Sequence, residues 1–228
     1  ESVPSQPKAP RIKKSVALSG VSAGNTAVCT VGRTGNDLRY RGYDIAELAD
    51  KASFEEVAYL LIHGELPTRP GLAQYCKKLK GLRNLPAPLK AVLERIPAAA
   101  HPMDVMRTGC SVLGTLLPEK DDHNAAGARD IADRLIACFG SMLLYWHHFS
   151  HNGRRVEVET DDDSIAGHFL QLLHGRAPPR LWQRALDQSL ILYAEHEFNA
   201  PTFTARVIAG TGADLYSAIT GAIGALRG

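Results

Sequence analysis

The sequence predicts an all-α fold with a small β-hairpin at its start. Three observations carry that expectation. Apolar residues recur at helical spacing from about residue 45 to the end. Cap residues of the right chemistry punctuate that pattern. Only residues 15–45 depart from it, with β-branched runs on either side of a turn cluster. The 228 residues can bury a sizeable core, and 45% apolar with 22% charged residues is a globular composition that excludes wholesale disorder.

Residues 1–14 (ESVPSQPKAPRIKK) are polar, Pro-rich and basic, and read as a disordered lead-in. Thr26–Val31 and Asp37–Tyr43 flank Gly32-Arg33-Thr34-Gly35-Asn36-Asp37 and predict one hairpin within residues 15–45. Ser53-Phe54-Glu55-Glu56 is a capping box, Phe54, Val57, Ala58 and Leu61 form one stripe, and Gly64 stops that helix. Thr68 caps the next helix, with Leu72, Tyr75, Cys76 and Leu79 inward. A short helix after Pro88 is expected to end at Pro97, and another spans 103–116. Ala125–Ser150 is long, and Ile136–Trp146 is apolar nearly all round, which requires burial at the centre of the fold or against a second copy; with the Met103–Leu113 helix beside it, it is expected to lie between two subunits of a dimer. Asp161-Asp162-Asp163 precedes a helix over Ser164–His174 closed by Gly175. Pro178-Pro179 opens a helix running to about Glu197. Thr202–Gly228 reads as small-residue helix broken at Gly210-Thr211-Gly212.

Lys plus Arg number 26 and Asp plus Glu 24, so a strongly basic nucleic-acid footprint is excluded and no nucleic-acid partner is expected. No clean run of about 18 apolar residues is present, so no membrane partner is expected. Residues 1–14 lack the apolar run of a signal peptide. Cys29, Cys76, Cys110 and Cys138 have no CxxC pairing and read as free thiols of a reducing, cytoplasmic compartment, the other reading being a metal or redox site.

Several groups invite chemistry. His147-His148-x-x-His151 puts two imidazoles four residues apart, for a metal or merely as a polar helix end. Asp161–Asp163 suit a cation or a helix N-terminus. Gly210-Thr211-Gly212 lacks the third glycine and preceding strand of a dinucleotide loop. Gly221-x-x-Gly224 suits close helix packing. Lys77, Lys78, Lys80 and Arg83 could meet an anion or form a solvated face. The most informative run is Tyr193–Arg206. There His196 and Asn199, three apart at a predicted helix end, could converge with Arg206 on a small dicarboxylate or keto acid, capping and ion pairing being the alternative.

That run, LILYAEHEFNAPTFTARVIAGTGADLYSAITGAIGALRG, closely resembles the citrate synthase family, most tightly its 2-methylcitrate synthase branch. So do KKSVALSGVSAGNTAVCTVGRTGNDLRYRGYDI, AAAHPMDVMRTGCSVLG, GARDIADRL and HNGRRVEVETDDDSIAGHFLQLLHG, together covering about residues 13–228. The resemblance implies a homodimeric C-acyltransferase that condenses propionyl-CoA, or alternatively acetyl-CoA, with oxaloacetate. It implies no metal and no cofactor, the CoA thioester being a substrate. His196 matches the family's oxaloacetate-binding His, and Asn199 the amide of the same motif. Residues 46–228 would be an incomplete helical large domain. The acyl-polarising His, the catalytic Asp and the carboxylate-binding arginines are expected beyond Gly228, so this stretch alone is expected to be inactive. Pro201 stands where the family has Ser, a residue implied to support that second His. A non-catalytic helical dimerisation or binding module is the other expectation.

Overall fold

A computed structural model describes residues 24–32, 37–120 and 123–227, in which ten helices follow a three-stranded antiparallel sheet. β1 (Cys29–Val31) pairs with β2 (Leu38–Tyr40) in the register Cys29 to Tyr40 and Val31 to Leu38. The predicted lead-in and turn residues 33–36 lie outside the described residues. The single hairpin expected is the first half of a meander. Arg41 and Gly42, at φ +50° and +92°, form a two-residue turn of the type whose twist suits paired strands, and they fold β3 (Tyr43–Asp44) back onto β2. Tyr43 therefore belongs to a third strand, not the second. Arg41 also donates from Nη2 to the Leu61 carbonyl at 3.1 Å, which ties the turn to the helices.

Asp44 caps α1 (Ile45–Lys51). Ser53 and Glu56 form the predicted capping box of α2 (Phe54–His63), and Gly64 ends it at φ +98°. Thr68 caps α3 (Arg69–Gly81). α4 (Ala87–Leu93) stops short of Pro97, because Arg95 and Ile96 bond three residues back in a tight turn where a proline ahead disfavours helix. α5 (Pro102–Leu116) and α6 (Ala125–Asn152) follow, the latter closed by Gly153 at φ +65°. Ser164 caps α7 (Ile165–His174), and Asp162 Oδ1 in turn accepts from the Ser164 N–H at 2.9 Å. The acids thus sit at a helix start. α8 (Arg180–Leu192), α9 (Ala200–Ala209) and α10 (Leu215–Arg227) complete the described chain.

The main core lies between α4, α5, α6 and α10, around Leu89, Leu93, Val105, Leu113, Met142 and Trp146. Gly114 lets α10 approach α5: a Cβ there would stand 2.7 Å from the Tyr216 Cβ, which cannot swing away. Gly221 faces the Ile208 side chain of α9 at close range, whereas Gly224 makes only ordinary contact with Arg107, so of the Gly221-x-x-Gly224 pair only the first glycine packs tightly. A second cluster joins the sheet to α1, α2 and α8 through Tyr40, Leu48, Val57, Leu60 and Ile191. The apolar half of α6 finds its partners largely within this one chain: Ala137, Cys138, Met142, Leu144, Tyr145 and Trp146 are all buried. That burial accounts for the all-round apolar pattern without a second copy.

Candidate functional site

α8 ends at Leu192, five residues short of Glu197, so His196 is not on a helix. The reason is hydrogen bonding from the sheet. The Tyr40 hydroxyl lies 3.0 Å from the Ile191 carbonyl and 3.1 Å from the Glu195 carbonyl, able to donate its one proton to either. It also accepts from the Glu195 N–H at 3.3 Å. Those contacts take backbone groups that a continuing helix would need. Glu197 then adopts φ +53°, a left-handed conformation that costs a non-glycine residue energy. Its carboxylate Oε1 accepts from the Val31 N–H at 3.1 Å.

His196, between these anchors, is exposed, and its ring has no hydrogen-bond partner among the described residues. Asn199 is the N-cap of α9, its side-chain oxygen accepting from the Thr202 N–H at 2.9 Å. Capping uses the oxygen and leaves the amide donors for other work. The predicted helix end is therefore replaced by a loop that carries His196 and a cap that carries Asn199. Pro201 falls in the first turn of α9, where a missing N–H removes no intrahelical bond. The Arg206 guanidinium packs over the Phe198 ring at 4.5 Å, which brings this cation back to the same loop. Burial raises the Glu195 carboxyl above its ordinary range.

The other candidates have structural partners. Lys78 pairs with Asp130 at 2.7 Å and Asp133 at 2.6 Å, Lys80 with Asp163 at 2.8 Å. Arg83, fully buried, donates to the carbonyls of Asp162 and Ser164. Lys77 is exposed and takes no part in these pairs. The His147 and His151 rings stand 4.6 Å apart, while His148 Nε2 bonds the Leu172 carbonyl at 2.8 Å. No cluster of three or more metal-ligating side chains occurs among the described residues. Nor is any described helix long and apolar enough to cross a membrane. The cysteines are free; burial pushes the Cys138 thiol up to about 12 and Cys76 up to about 11, which keeps both as unreactive thiols.

The residue missed from sequence is Tyr40. It falls in the strand run Asp37–Tyr43, but its bond to a carbonyl 151 residues away leaves no local signal.

A family model described as "Citrate synthase, C-terminal domain" matches residues 17–228. A 2-methylcitrate synthase of Shewanella oneidensis is 62% identical over 211 residues, covering 92% of this chain and 56% of the relative. A 2-methylcitrate synthase of Mycobacterium tuberculosis is 40% identical over 225 residues, 99% of this chain and 56% of its own length. Among solved structures, a citrate synthase of Thermoplasma acidophilum in ternary complex with carboxymethyl coenzyme A and oxaloacetate superposes with TM-score 0.84 at 27% identity, covering 92% of this chain and 55% of that one. The Thermotoga maritima citrate synthase gives 0.80 at 33% identity, covering 93% and 55%. The chain spans about half the length of the curated relatives it matches.

Proposed function

The chain belongs to the citrate synthase family, and on that premise we propose that it supplies the oxaloacetate-binding part of a 2-methylcitrate synthase, with His196 and Asn199 on the substrate. The observation that carries this reading is His196 itself: an exposed imidazole whose ring has no hydrogen-bond partner among the described residues, held on a loop fixed from both sides. The 62% identity to a 2-methylcitrate synthase supports propionyl-CoA over acetyl-CoA as the acyl donor.

The chemistry is a Claisen-type condensation. A base takes a proton from the carbon beside the thioester carbonyl, and the resulting enolate attacks the oxaloacetate ketone. The ketone electrons move onto its oxygen, where negative charge develops. An N–H of His196 aimed at that oxygen stabilises the charge, the role of a preplaced donor. Hydrolysis of the thioester then releases CoA. Asn199 can donate from its amide nitrogen while its oxygen keeps the α9 cap. The acyl-polarising His, the base and the arginines implied for this family have no counterpart assigned within residues 1–228. The stretch alone is therefore expected to show no turnover.

A chimera that supplies the remaining length from the Shewanella oneidensis relative tests the reading by propionyl-CoA-dependent thiol release. His196→Ala in it is expected to lower kcat by roughly 10²–10³-fold, the usual effect of losing one such donor. Pro201→Ser is expected to raise kcat with little change in oxaloacetate KM, as when support returns to a group acting mainly in the transition state. Unchanged turnover in His196→Ala would refute the assignment, and a preference for acetyl-CoA would move it to citrate synthase.

We also propose a homodimer, and no nucleic-acid or membrane partner. Although α6 is largely buried within the chain, Met106, Phe139, Leu143 and Phe169 remain partly exposed around an apolar recess of about 370 Å³. A second copy laid across them would bury on the order of 2,000 Å² in an obligate interface. Sedimentation equilibrium should give a dimer, and Phe139→Lys with Leu143→Lys a monomer. A stable wild-type monomer contradicts this.

A further inference from the structure

Two residues of the sheet-to-loop contact have a role that the His196 assignment does not contain. We propose that Tyr40 and Glu197 are positioning residues that aim His196 at its substrate through the backbone. The proposal deepens the reading of His196 given above and rests on it.

The geometry places one anchor on each side of His196. Before it, the Tyr40 hydroxyl reaches both polar backbone groups of Glu195, the N–H at 3.3 Å and the carbonyl at 3.1 Å. Tyr40 is fully buried, so water does not compete for that hydroxyl. Burial also raises its ionisation above the ordinary phenol value, which keeps the proton in place. After His196, the Glu197 carboxylate accepts from the Val31 N–H at 3.1 Å. Val31 and Tyr40 lie on the paired strands β1 and β2. Both anchors therefore belong to one small sheet.

The left-handed φ of Glu197 is unfavourable for a side-chain-bearing residue and persists only where its surroundings impose it. The Val31 contact holds the side chain of that same residue. His196 has no ring partner among the described residues to fix its direction. The direction of its Cα–Cβ bond is then set by the two peptides beside it. The sheet thus acts as a jig for one imidazole, which gives the N-terminal strands a function beyond packing.

The test uses the chimera with the Shewanella oneidensis relative, isotope-labelled, with two readouts. Amide exchange is followed across residues 193–198 and in α5 and α6, and oxaloacetate binding is followed by chemical-shift titration. Tyr40→Phe keeps the ring but removes the hydroxyl; Glu197→Ala removes the acceptor; Glu197→Gln keeps it. Tyr40→Phe and Glu197→Ala are expected to speed exchange at 193–198 and to weaken oxaloacetate binding, each by about tenfold, the effect of hydrogen bonds worth roughly 1.4 kcal/mol. Exchange in α5 and α6 should stay within twofold, and Glu197→Gln should behave as wild type in both readouts. The proposal is overturned if the loosened loop binds oxaloacetate unchanged, if exchange at 193–198 does not rise, or if Glu197→Gln is as damaging as Glu197→Ala. If wild type and His196→Ala bind oxaloacetate alike, the reading of His196 fails and the positioning role falls with it. That outcome is distinct, because it appears without any change at Tyr40 or Glu197.

Discussion

Asp133→Ala is expected to destabilise the fold by about 2–4 kcal/mol, measured as the change in urea unfolding free energy by circular dichroism. Asp133 is fully buried on α6. Its Oδ1 accepts from the Tyr75 hydroxyl at 2.8 Å, and its Oδ2 pairs with the Lys78 ammonium at 2.6 Å. Alanine would strand the Tyr75 hydroxyl, whose residue is 4% exposed, and would open a hole between α3 and α6. Lys78 suffers less. It keeps Asp130 at 2.7 Å and is 42% exposed, which is why the expected cost stays below that of stranding a wholly buried charge. Adding Tyr75→Phe removes the stranded hydroxyl and should recover about 1–2 kcal/mol. A loss under about 1 kcal/mol for Asp133→Ala would mean that this network does not hold α3 to α6.

Acidification should remove a comparable amount through His168. That ring is 1% exposed, with Nε2 at 3.0 Å from Ser141 Oγ and Nδ1 at 3.0 Å from Thr160 Oγ1. Burial first, and the Arg83 charge second, push its pKa down to about 3 from 6.5. The neutral ring suits both hydroxyls, since each can donate or accept. The folded pKa lies below the unfolded one, so the unfolded chain takes up the proton first. The stabilisation is full above pH 6.5 and is lost as pH falls towards 3. At about 1.36 kcal/mol per unit, the loss is on the order of 3–5 kcal/mol over that window. His168→Gln cannot take up this proton. Its stability should therefore converge on that of wild type between pH 7 and pH 4. A constant difference between the two across that range would contradict the assignment.

Much of the helical frame was readable because its signals are local. The Ser53–Glu56 box, the Thr68 cap and the stops at Gly64 and Gly175 all lie within a few residues of what they control, and each stands as expected. The misplaced boundaries have non-local causes. Local signals run α8 to about Glu197, whereas Tyr40 takes the backbone groups at its end from across the fold. The third strand was missed because Arg41-Gly42 lacks the asparagine or aspartate usual at the first turn position. The candidate site rests on one motif: His196, Asn199 and Arg206 were named from it. Their arrangement was not, since a loop, a cap and a cation–aromatic contact take the place of the predicted helix end. The apolar half of α6 was ambiguous for a physical reason. Burial inside one chain and burial between two leave the same sequence pattern.

The central claim is that His196 and Asn199 hold oxaloacetate. Calorimetric titration of oxaloacetate into the chimera tests it most directly, with His196→Ala and Asn199→Asp as the variants. Aspartate keeps the α9 cap but replaces the amide donor by a negative charge. The account predicts saturable binding by wild type, weakened at least tenfold in each variant, with thermal stability of Asn199→Asp unchanged. Wild-type affinity in both variants would contradict it.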